Sequence, residues 1–142
     1  MNHGRLALAA LGGFIAYFVI GGLSFGLVPS LRSEFLKYPG VYRTQEGIKN
    51  VMPAGMVAMF VAILALAVIY AQLYRGTSGL AEGATFGALV GVFAISSFVI
   101  HNYVNLNIGL KLTAQQSVAY FLEWLVVGIV IGLIYKPTIA KL

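Results

Sequence analysis

The chain has 142 residues, enough for one domain, with 60% apolar and 9% charged side chains. A water-soluble domain carries about a quarter charged residues, so lipid must cover much of this surface. The net charge of +5 arises from cations scattered between apolar runs, which suits anionic headgroups better than a nucleic acid, and the lack of Cys excludes disulfide exchange, thiolate metal sites and a Cys nucleophile.

The first apolar run covers about 6–28. It is longer than the ~7–15 residues of a secretory signal core, so it reads as a retained span reaching roughly 34 Å, enough for the hydrocarbon layer. Gly22 and Gly26 form a small-xxx-small pair in it, as do Ala9 and Gly13. Pro29 ends the span. The connection from Ser30 to Met52 contains the amphipathic piece SLRSEFLK, expected to lie on the membrane as a short surface helix. Pro39-Gly40 is a turn signal, and Tyr38 and Tyr42 suit the headgroup level.

Thr44 is placed to cap a new helix, with Glu46 in its first turn. The second span is expected over 53–74, kinked near Pro53, with Tyr70 and Tyr74 at its far interface. After a tight connection at 75–78 the third span covers about 80–103. Thr113 and Gln116 match a capping box that opens the fourth span, about 114–135. Lys136-Pro137 closes it, and a short frayed tail, TIAKL, follows. Four spans put both termini on one side, here side A, with the 75–78 turn. The two longer loops lie on side B. Lys and Arg are nearly balanced between the sides, so charge alone does not set the orientation.

The third span opens GLAEGATFGALVG. Gly79, Gly83, Gly87 and Gly91 recur every four residues, which places them on one helix face. Gly128 and Gly132 form a similar pair in the fourth span. Helix association in lipid depends on close packing, which Gly permits. The face is expected to pack either within the chain or against another copy or subunit. The segment SGLAEGATFGALVGVF resembles a bacterial family of small four-span membrane proteins of unknown function, whose third span opens with such a run after a short basic turn. That resemblance implies a four-helix fold in the bacterial cytoplasmic membrane with both termini cytoplasmic. It carries no catalytic residues.

Glu123 is the most informative polar residue. A charge within a span costs at least ~2.5 kcal/mol on insertion scales, so the carboxyl must be protonated, paired or wet. Ser97 and Asn102 of the third span are its expected partners, and Gln116 and Tyr120 share its face. His101 and Asn102, with nearby Asn and Gln residues, form a polar rim at side B. Met52, Met56 and Met59 lie at a depth similar to His101, but Met stripes are usually packing, so no metal or other cofactor is implied. The chain contains no nucleotide loop, zinc-protease helix or hydrolase elbow.

These features predict an all-α bundle of four transmembrane helices in one domain, 1–142, with the hairpins of spans 1–2 and spans 3–4 running in the same sense. They predict no enzyme and no nucleic-acid partner. The expected function is structural or accessory, with Gly-rich faces packing in a homo-oligomer or a larger membrane complex. The alternative is a small transporter or channel using Glu123 and the His101/Asn102 rim.

Overall fold

A computed structural model describes residues 1–136. The described residues are helical, with no strand. The elements are α1 (His3–Leu27), α2 (Pro29–Phe35), α3 (Gln45–Leu73), α4 (Gly79–Ala94), a π-helical turn (Ile95–Val99), α5 (Ile100–Asn105) and α6 (Leu110–Ile134). Four helical stretches are long and apolar enough to cross a membrane: α1, α3, α6 and the continuous run Gly79–Asn105. Large apolar side chains such as Leu8, Val57, Leu89, Phe93 and Val118 point outward from all four, as lipid-facing side chains must. The expected Pro137 stop and the TIAKL tail lie outside the described residues.

Two boundaries differ from the sequence expectation. The second span begins at Gln45, well before Pro53, because the Thr44 hydroxyl accepts a hydrogen bond from Gly47 N at 3.1 Å and caps the helix there. Pro53 therefore sits inside α3, where it cannot donate to the carbonyl four residues back. The fourth span begins at Leu110, not at the Thr113 capping box. Gly109 is the N-cap, and the Thr113 hydroxyl instead donates back to Gly109 O at 3.2 Å. The reason is apolar: Ile108 and Leu112 are buried against Leu31 of α2, which draws the helix start toward that contact.

Helix α6 is central. It packs along α4 on one side and along α1 on the other, and α1 in turn packs on α3. Its contact with α4 is backbone to backbone. A Cβ built on Gly83 would lie 2.5 Å from Gly128 O, and one on Gly87 would lie 2.5 Å from Trp124 O and 2.8 Å from Leu125 O. Gly79 meets the Gly132 carbonyl in the same way, while Gly91 rests on Phe121. Each of the first three glycines thus aims a Cα–H at an α6 carbonyl, a recurrent weak hydrogen bond between helices. The Gly79–Gly91 face is filled by the chain's own fourth span.

On α1 the small residues that matter are Ala9, Ala10 and Gly13. Both alanines are buried, and a Cβ on Gly13 would lie 3.1 Å from Ile63 and 3.2 Å from Ile131, so three helices converge there. Gly22 and Gly26 differ from the expectation, since nothing lies within 4 Å of a Cβ built on either. Gly22 lines the hollow beside Glu123 and Gly26 the hollow at the end of α1, so neither lies in a helix contact. Tyr70 also departs from its expected interfacial role. It is 2% exposed and packs on Phe86, with ring centroids 5.4 Å apart.

The short connection between α3 and α4 is held by Glu82. Its carboxylate accepts from Arg75 N at 2.8 Å, Thr77 N at 2.9 Å and the Thr77 hydroxyl at 2.6 Å. Gly76 supplies the φ of 80° that the turn needs.

Adding a methyl group separates the two classes of glycine. Gly83→Ala and Gly87→Ala must push α4 from α6 and should destabilise the fold by ~1–3 kcal/mol. Gly22→Ala meets open space and should be neutral or stabilising by up to about 1 kcal/mol. Reversible unfolding in mixed micelles measures both, and equal effects at Gly22 and Gly87 would refute the packing described.

Candidate functional site

Glu123 lies near the midpoint of α6, and Tyr17 near the midpoint of α1. The two helices pack against each other, which brings these side chains to the same depth. Glu123 is 6% exposed. The Tyr17 hydroxyl and, one turn back along α6, Tyr120 stand beside its carboxyl, and all three line one cleft. Gly21 makes room for the carboxyl, since a Cβ there would lie 3.2 Å from Glu123 Oε1. The Tyr17 ring also packs on Trp124, with centroids 5.3 Å apart.

This trio forms the floor of a cleft of about 340 Å³. Gln116, two turns toward side B on α6, and Asn102 of α5 line it higher up. Aromatic side chains supply much of the remaining wall, among them Phe18, Phe25, Phe35, Tyr42 and Phe98. The π-helical turn at Ile95–Val99 positions Phe98, whose ring stacks on Tyr120 at 5.8 Å. Gln116 lies about 10 Å along the helix from Glu123, so the cleft extends from the side B rim to mid-depth.

Of the polar residues picked from the sequence, Glu123, Asn102 and Gln116 line one cleft. His101 does not join them. It is exposed on α5, one residue around from Asn102, and its carbonyl accepts from Asn105 Nδ2 at 3.0 Å. Ser97, an expected partner of Glu123, instead donates to Phe93 O at 2.7 Å within its own helix. Met52 and Met56 are exposed on α3. Among the described residues no three His, Asp or Glu side chains are grouped to hold a metal.

Tyr17, which lies beside Glu123 across the contact of α1 with α6, was not singled out by sequence reasoning. Its position was the available signal. Tyrosines in membrane proteins gather at the interfaces, and one at mid-span has a hydroxyl that must find a partner inside.

The first loop covers the side B end of this site. Glu34 of α2 is 3% exposed and forms ion pairs with Lys37 at 2.6 Å and with Lys111 at the start of α6 at 2.8 Å. Tyr38 accepts from Gly109 N at 2.9 Å, and Gln115 Nε2 donates to Ser30 Oγ at 3.1 Å. Gln116 Nε2 reaches the Tyr42 hydroxyl at 3.4 Å. The segment expected to form a short surface helix does so as α2, and it is also docked on the N-terminal turns of α6.

Protein-family models, characterised proteins and solved structures offer no match to this chain. No family model supports the likeness to the bacterial four-span family. What the structure defines is a class: a small, all-helical, four-span membrane protein.

The ammonium groups of Lys111 and Lys37 hold the Glu34 carboxyl below its ordinary value. Because the folded value is depressed, the resulting stability is full above the usual carboxylate range and is lost as pH falls through the lowered value. The difference in melting temperature between wild type and Glu34→Gln should therefore be largest near neutral pH and shrink in acid. Glu34→Gln should also speed tryptic cleavage after Lys37. A pH-independent difference would contradict the docking role of this carboxylate.

Proposed function

We propose that this protein binds a small cation at Glu123, with a proton taking its place when the cation leaves. One observation carries the reading: the carboxyl sits buried at mid-span beside two tyrosines and, among the described residues, forms no ion pair. A carboxylate at that depth is costly unless neutralised. Tyr17 and Tyr120 carry no charge, so neutrality must come from a proton or from a bound cation. The aromatic wall favours a cation further, because ring faces attract positive charge. The cleft provides a path from side B, and Asn102 and Gln116 along it offer oxygen ligands. With exchange at one carboxyl, the reading is a small cation carrier in the bacterial cytoplasmic membrane. Both termini then face the cytoplasm, as the family resemblance implies.

In vesicles carrying the protein, adding Na⁺, K⁺ or tetraethylammonium outside should release protons that a pH-sensitive dye reports. Glu123→Gln keeps the shape and should abolish the response, while Tyr17→Phe removes the hydroxyl beside the carboxyl and should weaken it about tenfold, the effect of a lost polar contact to a charged group. No response in wild type, or an equal one in Glu123→Gln, would overturn the reading.

A second reading is an accessory subunit packing through a Gly-bearing face. Gly22 and Gly26 favour it, because they meet nothing in this chain. Native mass spectrometry of the protein drawn gently from its own membrane should then find other chains at fixed ratio. A lone chain would remove this reading.

A further inference from the structure

A second and larger hollow lies beside the candidate site. It is a groove of about 800 Å³ bounded by the end of α1, by α2, by residues 36–44 and by the first turn of α3. All of these elements are at the side B end of the spans, at headgroup level. Phe25, Phe35, Leu36 and Ile48 make an apolar wall, and Arg32 and Arg43 stand at the same groove.

Neither arginine forms an ion pair among the described residues. The two carboxylates on these elements do not line the groove. Glu34 is turned to Lys37 and Lys111 instead, and Glu46 lies in the first turn of α3. The groove therefore combines an apolar trough with two guanidinium groups whose charge the protein does not neutralise. Guanidinium is the side chain best suited to phosphate, and basic pockets at this depth suit anionic lipid headgroups.

We propose that this groove seats an anionic phospholipid of the surrounding leaflet. Arg32 and Arg43 hold its phosphate, and an acyl chain lies along Phe25, Phe35, Leu36 and Ile48. The match is in both charge and polarity. A free phosphate would leave the apolar wall uncovered, and a zwitterionic lipid would bring a further cation beside the two guanidinium groups. The site does not depend on cation binding at Glu123.

The test uses the full chain purified in an uncharged detergent, followed by native mass spectrometry and thermal melting. Phosphatidylglycerol should bind and raise the melting temperature with roughly tenfold or greater preference over phosphatidylcholine of the same chains. The double variant R32Q/R43Q should lose that preference, R32K/R43K should keep most of it, and R75Q, at the opposite end of the bundle, should keep all of it. Equal binding of the two lipids overturns the proposal, as does a preference that survives in R32Q/R43Q. Oleate or inorganic phosphate alone matching the effect of phosphatidylglycerol would also overturn it, and so would a second copy of the chain that phosphatidylglycerol fails to displace. Should R32Q/R43Q not fold, the wild-type preference must still fall with added salt; a salt-independent preference refutes the charge-based site.

Discussion

The contact between α4 and α6 governs the rest of the arrangement. Lipid supplies no strong hydrophobic drive between helices, so association must come from close packing and from polar contacts. Gly79, Gly83 and Gly87 bring the α4 backbone against Gly128, Gly132 and the Trp124–Leu125 carbonyls. An interface without side chains tolerates little rotation, because any turn of α6 would drive a Cβ into the α4 backbone. It follows that α6 has one azimuth, and that azimuth aims Glu123 at α1. The carboxyl then meets Tyr17 by necessity of packing.

A division of labour results along α6. One face is glycine and backbone, giving adhesion without chemistry. Another bears Gln116, Tyr120 and Glu123 at helical spacing and lines the cleft. The N-terminal turns receive the first loop through Lys111, Leu112 and Gln115. That loop contributes to both hollows: Phe35 and Tyr42, with Phe25 at the end of α1, wall the cleft over Glu123 on one side and the arginine-lined groove on the other. The docking of α2 thus shapes the entrance to the candidate site.

Much of this was legible in the chain, for identifiable reasons. Long apolar runs are constrained by bilayer thickness, so four spans could be counted directly. The four-residue spacing at Gly79–Gly91 marked a helix contact face. The Thr44 cap was legible as well, because the chemistry of an N-cap is local. Failures came where a long-range contact decided the outcome. Thr113 and Gln116 fit a capping box locally, yet the burial of Ile108 and Leu112 against Leu31 set the helix start instead. Gly22 and Gly26 have the same spacing as the α4 glycines but no helix to meet. His101 and Asn102 are adjacent in sequence and point differently, since successive helical residues are about 100° apart. Nothing local distinguishes Tyr17 from an interfacial tyrosine except its depth.

The central claim is that the glycine face is filled inside one chain and thereby fixes α6. Trp124 is the single Trp, so a ¹³C label on its carbonyl is unique. Solid-state NMR in bilayers can then seek its cross-peak to the assigned Gly87 Cα, first in fully labelled protein and then in labelled chains diluted with unlabelled ones. A cross-peak whose intensity per labelled chain survives dilution is the predicted result. Its loss on dilution would show that the glycines meet a different copy, and absence in both samples would show that α4 and α6 do not pack as described.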